Sequence, residues 1–407
     1  MIDCLYPFQK AGVKYALEHN YTINGCEMGL GKTIQALAVM EQLKCRTLIV
    51  CPAYLAINWE YEIDRFLPGY DKSLISITSY YKFTRDAIDY VDCKLVIFDE
   101  AHYLKNMNSQ RAKVAHSFIY RSAPTHLMLL TGTPIMNRVT EFYSLLKLCS
   151  FNPLKTNGEK ITRGFAQFCN VLCYNHRIPS SSGFLIKKWY GLKNEPVLRK
   201  YLKFKYFRKL AKDELDLPKI IHKYIYTEVK PSKTDCDELE AAFEDKNLAH
   251  ISVAKAKSAL FKTPTTLKYV NDLLDQGEKP LLIFTDHVAA AKELHFKLQL
   301  KNTAVIIDGS VTSMKRNQTV EDFNKSKVDV IIATIGSMST GFNLTASRHV
   351  IFNDLSWVPA SNLQCEKRIH RIGQTQQCLV VKILCSKIDY LIQKHLDEKM
   401  EVLRNAT

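Results

Sequence analysis

The run Cys26-Glu27-Met28-Gly29-Leu30-Gly31-Lys32-Thr33-Ile34-Gln35 constrains this chain more than any other. Gly29 and Gly31 can take backbone angles closed to other residues, so amide N–H groups turn inward around an anion. A loop of this kind joins a strand to a helix and asks for a parallel α/β layer. In such a loop Lys32 reaches the β- and γ-phosphates of a nucleotide, and Thr33 offers its hydroxyl to magnesium. A helix beginning at Thr33 adds its positive end to the same place. The strict pattern has glycine where this chain has Cys26, so a Gly-rich turn without a ligand is the competing reading.

A second segment weakens that competitor. Residues 94–98, Lys-Leu-Val-Ile-Phe, read as a buried parallel strand and run straight into Asp99-Glu100-Ala101-His102. Open α/β sheets bind ligands at the carboxyl ends of their strands. Asp99 there suits magnesium, and Glu100 suits orienting and deprotonating an attacking water. An isolated Asp-Glu pair would be only a helix cap; beside the Lys32 loop it reads as the second half of an ATP site.

The chain has 407 residues, enough for two ordinary domains, and 46% hydrophobic content, ordinary for a globular protein. No run approaches the roughly 18 apolar residues of a membrane helix. The opening Met1-Ile2-Asp3-Cys4-Leu5-Tyr6-Pro7 lacks the regions of a secretion signal, so an intracellular, reducing compartment, nucleus or cytoplasm, is expected. The 12 cysteines then read as thiols packed as small hydrophobes. Cys169, Cys173 and His176 have a spacing that zinc tolerates, but no second pair stands nearby, and packing is the better reading.

The formal charge is +15, concentrated between Lys187 and Lys212, where Lys188, Lys193, Arg199, Lys200, Lys203 and Arg208 interleave with aromatics such as Trp189, Tyr190 and Phe204. A charge run is usually a solvated face. Beside an ATP site and with this net charge, contact with a nucleic-acid backbone is favoured, with the aromatics mostly in the core.

Strand and helix signals alternate, as in parallel α/β domains. Strands are expected at 46–51, 94–98 and 127–130, and an amphipathic helix at 54–66. The alternation lapses over about 150–217, which reads as a helical insertion whose loosest part is Pro179-Ser180-Ser181-Ser182-Gly183. Strands resume at 280–285, 303–307, 328–333, 349–353 and 378–385, and a helix over 388–404 ends the chain. The expected division is 1–217 and 218–407.

In the second half, Gln364, Arg368 and Arg371 would form one stripe if 364–374 is helical, since they stand at i, i+4 and i+7. Two fixed guanidiniums suit phosphate oxygens. A surface salt-bridge face is the alternative; with a nucleotide loop upstream, an arginine finger is favoured.

The whole set resembles Swi/Snf-family ATPases, a branch of the superfamily-two, DEAH-containing helicase-like motors, in its compact annealing-helicase-like or viral branch. The matching residues run in order: Leu5-Tyr6-Pro7-Phe8-Gln9, the phosphate loop with Met28 and Leu30, Cys51-Pro52 through Trp59-Glu60, Asp99-Glu100-Ala101-His102 with Lys105-Asn106, Thr131-Gly132-Thr133-Pro134 with Asn137, Arg208-Lys209-Leu210 through Leu217-Pro218-Lys219, Ser356-Trp357-Val358-Pro359 and His370-Arg371-Ile372-Gly373-Gln374. Met136, Val358 and Lys367 depart from the family pattern, which touches coupling rather than the ATP site.

The resemblance implies two tandem RecA-like domains that bind ATP and magnesium. It implies that Gln9 reads adenine and that the segment 51–60 contacts DNA. It further implies that Thr131-Gly132-Thr133 relays between ATP and DNA, with Gly341, Asn343 and Thr345 completing that path in the second lobe. The activity implied is a DNA-dependent ATPase that translocates on or remodels double-stranded or forked DNA. Backbone contacts would hold the DNA, the motor would be monomeric, and protein partners would target it. A strand-separating DNA or RNA helicase is the alternative.

Overall fold

The computed structural model describes residues 2–136, 138–150, 164–179, 184–227, 248–338 and 343–385, with 389, 393, 394, 396 and 397. Asn137, the Ser-rich stretch 180–183, the segment 339–342 with Gly341, and most of the expected helix 388–404 lie outside them. The chain divides into two compact units, Met1–Glu214 and Leu215–Lys399.

The first unit is built on β1 (Tyr21–Asn24), β2 (Thr47–Cys51), β3 (Ile75–Ser79), β4 (Leu95–Asp99), β5 (His126–Leu130) and the short β8 (Tyr206–Phe207). They form one six-stranded sheet in the order β3-β2-β4-β5-β1-β8, paired in parallel throughout. The four-residue β1 and the five-residue β2 and β4 are buried at every position, because helices cover both faces of a parallel sheet. One side is filled by Phe98, Phe83, Phe142 and Phe168, the other by Trp59, Leu37, Ile49 and Met128. The expected strands at 46–51, 94–98 and 127–130 are present within a residue or two; β1 and β3 are too short and too mixed in composition to stand out in the sequence.

The insertion is helical only in part. Phe165–Leu172 and Glu195–Leu202 are helices, but between them β6 (Tyr174–Pro179) and β7 (Leu185–Tyr190) pair as an antiparallel hairpin. Neither strand alternates apolar and polar residues, so the strand signal was missing, although a Ser/Gly-rich connection between two short runs is itself a hairpin signal. Downstream, β8 brings residues 205–209 alongside β1: Ile23, Gly25 and Glu27 donate their N–H groups to the carbonyls of Lys205 (2.6 Å), Phe207 (2.7 Å) and Lys209 (2.9 Å). The ring of Tyr206 lies over Gly25, where a Cβ would stand 2.1 Å from it, so only glycine fits.

The second unit repeats the design with β9 (Ile220–Tyr226), β10 (Leu281–Thr285), β11 (Ala304–Ile307), β12 (Val330–Thr334), β13 (His349–Phe352) and β14 (Cys378–Leu384). Their order is β11-β12-β10-β13-β14-β9, again parallel. The edge strand β9, Ile-Ile-His-Lys-Tyr-Ile-Tyr, is largely exposed. Among the described residues no helix is long and apolar enough to cross a membrane.

Candidate functional site

Register brings the expected site residues of the first unit into one row. Asn24 pairs with Leu130 and Leu130 with Asp99, so the ends of β1, β5 and β4 lie abreast. The phosphate loop, the Thr131 turn and the Asp99-Glu100 pair therefore emerge side by side at the carboxyl edge of the sheet.

The loop is shaped by its two glycines, Gly29 at φ 85° and Gly31 at φ 69°. Gly31 is the residue before helix α2 (Lys32–Leu43), placing Lys32 and Thr33 in its first turn. Leu30 is fully buried, and its carbonyl accepts from Gln9 Nε2 (3.2 Å) and Gln35 Nε2 (3.3 Å). Asn24 in turn donates to Gln35 Oε1 (2.9 Å) and accepts from the N–H of Cys26 (3.1 Å). Asn24 and Gln35 were missed as site residues; a buried amide pair on either side of a Gly-rich loop is the signal that marks them. Cys26, at the position of the pattern's glycine, is fully buried, and burial pushes its thiol up in pKa, so it packs as a hydrophobe.

Gln9 lies in helix α1 (Pro7–His19) and accepts the N–H of Tyr6 (3.0 Å) while its amide braces the loop. Lys32 Nζ donates to the carbonyls of Cys26 (2.9 Å) and Glu27 (3.3 Å), which holds the amine at the centre of the loop. Gly132 closes over it: a Cβ there would stand 2.8 Å from Met28 Cγ and 3.2 Å from Lys32 Nζ.

Asp99 ends β4. Trp59 Nε1 donates to its Oδ2 (2.9 Å) and the N–H of Glu100 to its Oδ1 (2.8 Å), while Tyr80 donates to its carbonyl (2.8 Å). Burial, then the neighbouring Glu100, raises its carboxyl pKa to about 6. Within the segment 51–60, Trp59, on helix α3 (Ala56–Phe66), is fully buried and serves Asp99. Glu100 takes a left-handed backbone, φ 49°, which turns its side chain back to His102 Nδ1 at 3.2 Å. His102 approaches Thr131 Oγ1 at 3.5 Å, and Thr131 Oγ1 accepts the N–H of Thr133 (3.2 Å). Lys105 pairs with Glu141 (3.3 Å), which also accepts the N–H of Met136 (2.9 Å).

In the second unit the arginine stripe is not helical. The helix Pro359–Glu366 stops before Arg368, so Gln364, Arg368 and Arg371 do not share one helical face. Arg368 and Arg371 instead ride a turn that Gly373 completes at φ 98°. Gln374 Nε2 is shared among the carbonyls of Thr345 (3.3 Å), Ser347 (3.0 Å) and Ile369 (3.2 Å), and His370 Nε2 bonds the Pro218 carbonyl (2.8 Å). Leu344 donates to the Arg368 carbonyl (3.0 Å), and Asn343 accepts from Asn324 (2.8 Å). Arg368 is nearly buried and Arg371 partly exposed.

Cys169 and Cys173 lie in the core while His176 is exposed on β6, and among the described residues no three metal-binding side chains come together. Of the aromatics in the basic run, Trp189, Tyr201 and Tyr206 pack against the core, whereas Tyr190 (52%) and Phe204 (60%) are exposed, contrary to the core reading.

A family model described as SNF2-related domain matches residues 8–74 and 69–271, and one described as helicase conserved C-terminal domain matches 265–373. Fold and site thus define an ATP-hydrolysing enzyme of the helicase-like class. The chain belongs to the SNF2-related family. It is similar to a SWI/SNF-related matrix-associated actin-dependent regulator of chromatin subfamily A-like protein 1 homolog of Caenorhabditis elegans, 26% identical over 441 residues, covering 99% of this chain and 62% of the relative. It is similar also to the mouse DNA annealing helicase and endonuclease ZRANB3, 27% identical, covering 98% of this chain and 40% of that protein. The chain thus spans less than two thirds of these relatives. Among solved structures, a Sulfolobus solfataricus SWI2/SNF2 ATPase core in complex with dsDNA is 22% identical with a TM-score of 0.44, covering 98% of this chain and 92% of that one.

Proposed function

We propose that this chain couples ATP hydrolysis to translocation along, or remodelling of, double-stranded or forked DNA. The observation that supports this best is the continuous path from Lys32 through Gly132 and Thr131 to His102 and Glu100, which ties the phosphate loop to the carboxylate pair. The names of the relatives, an annealing helicase and a chromatin regulator, support the DNA substrate. So does the basic run, in which Lys193, Lys200, Lys203 and Lys212 are exposed.

The donor set fits a magnesium nucleotide. A buried carboxylate beside a second carboxylate is unfavourable until a cation joins it. Thr33 and Asp99 would hold that magnesium. ATP supplies a γ-phosphoryl group whose transfer to water is the energy source. Lys32 exchanges the carbonyls of Cys26 and Glu27 for phosphate oxygens, and the N–H groups around Gly29 and Gly31 complete the cradle. Glu100, aimed by His102, orients a water and takes its proton. The family resemblance assigns Arg368 and Arg371 to stabilising the charge that develops during transfer. Gln9 holds the loop and reads the adenine edge from the same helix.

The test is ATP hydrolysis measured alone and with blunt duplex, forked duplex, single-stranded DNA and RNA, with Glu100→Gln as control. Stimulation by duplex or forked DNA that the variant abolishes is expected. Stimulation by RNA or single strands alone would replace this reading with an unwinding helicase, and the absence of hydrolysis would end it.

A further inference from the structure

The hairpin β6–β7 presents a surface that core packing does not explain. Cross-strand pairs put Tyr174 opposite Tyr190, His176 opposite Lys188 and Ile178 opposite Ile186, so these six share one face. Tyr174 is 51% exposed and Tyr190 52%, and Lys188 and His176 are exposed with them. The rings are ordered against one another: Tyr174 and Tyr190 have centroids 5.8 Å apart, and His176 lies 5.3 Å from Tyr190. Gly191, at φ 57°, has no Cβ to crowd Tyr174, whose ring would lie 3.3 Å from it.

The other face ties the hairpin down. Trp189 meets Phe165 edge-on at 5.6 Å and donates to Asn170 (3.0 Å), and the N–H of Lys193 donates to the Leu172 carbonyl (2.8 Å). The exposed face is therefore anchored through Trp189 to the helix Phe165–Leu172.

Charge selects the occupant. Residues 174–193 include Arg177, Lys187, Lys188 and Lys193 and no acidic residue. On the face of the two tyrosines Lys188 stands directly opposite His176, and Arg177 and Lys187, paired on the other face, add positive charge to the same hairpin. Aromatic faces gain nothing from a duplex, whose bases are already stacked, but they gain from unpaired bases.

We propose that this hairpin binds the single-stranded arm of forked DNA, with Tyr174 and Tyr190 stacking on unpaired bases and Lys188 meeting the backbone. This rests on the DNA-dependent reading above and names the branch-recognising part of that substrate.

The experiment measures fluorescence anisotropy of labelled oligothymidine and labelled blunt duplex with the full chain, its Tyr174→Ala/Tyr190→Ala variant and its Tyr174→Phe/Tyr190→Phe variant. Each is first checked for unchanged thermal melting. The alanine pair is expected to weaken oligothymidine binding by roughly tenfold or more while leaving duplex affinity unchanged, and the phenylalanine pair to bind as the parent does. Hydrolysis stimulated by forked duplex should then fall to the level given by blunt duplex. Unchanged oligothymidine affinity in the alanine pair overturns the proposal, and so does equal loss on both DNAs. Displacement of oligothymidine by polyglutamate as readily as by unlabelled oligothymidine would indicate a protein-binding face and also overturn it. Should the alanine pair fail to fold, Lys188→Glu decides by the same readout, with loss on oligothymidine expected and no loss overturning. If tyrosine-dependent binding of single strands is found but no DNA stimulates hydrolysis, the motor reading fails and the hairpin assignment stands.

Discussion

In the first unit the charged groups stand at strand ends, where register sets Asn24, Leu130 and Asp99 abreast. In the second, Arg368 and Arg371 stand on an irregular turn whose shape depends on side chains, chiefly Gln374 and His370, bonding to carbonyls far along the chain. Strand ends are fixed by a whole sheet and tolerate change around them. A turn held by a few side-chain hydrogen bonds can be loosened by one substitution. The two contributions to the proposed reaction should therefore fail differently.

The largest effect is expected at Glu100. Glu100→Gln keeps the shape of the strand end and should lower kcat by as much as about 10⁴-fold while nucleotide binding persists, measured by steady-state hydrolysis and by titration with a fluorescent nucleotide. Arg371→Ala should lower kcat by about a thousandfold with nucleotide affinity little changed. A drop in affinity equal to the drop in kcat would instead make this arginine a ground-state ligand.

The next contrast is in pH. Because burial and Glu100 raise the Asp99 pKa from 3.8 to about 6, protons compete with magnesium below that value. Apparent magnesium affinity should fall by up to about tenfold per unit below pH 6. Asp99 is raised in the folded state, so its contribution to stability is complete below its unfolded pKa and is lost as pH rises through about 6. Melting in chelator should thus show less stability from this group near neutral pH, and Asp99→Asn should remove that dependence. Nothing comparable is expected of the arginine turn.

The smallest effect tests the turn itself. Gln374→Ala leaves the carbonyls of Thr345, Ser347 and Ile369 without this donor and should cost about 1–3 kcal/mol, read by urea melting. If Arg371 depends on that support, kcat falls with it while nucleotide affinity holds.

The same contrast explains what the sequence disclosed. Buried strands such as 47–51 and 281–285 announce themselves by unbroken apolar runs, and the Gly29–Gly31 loop by residue types that few other backbones require. Long-range polar contacts leave no local trace. Trp59 reads as one more amphipathic helix residue until β4 is placed beside it, where it donates to Asp99. The Gln364-Arg368-Arg371 spacing suited a helix, but the backbone leaves the helical path after Glu366 because Leu344 and Gln374 claim its carbonyls instead. The β6–β7 hairpin was obscured because its exposed face mixes bases and aromatics instead of alternating with a buried one.

The pairing of β8 with β1 has a mechanical side. The chain passes along β1 at 205–209 and reaches the second unit at Leu215 only a few residues later. The bonds from Ile23, Gly25 and Glu27 thus fasten the last stretch of the first unit along the strand that leads into the Gly29–Gly31 loop. Glu27 adds a further tie, accepting the N–H of Ala211 at 2.8 Å. The stretch 205–211 is thus tethered to the first residues of the Gly29–Gly31 loop, so that displacing either one strains the other.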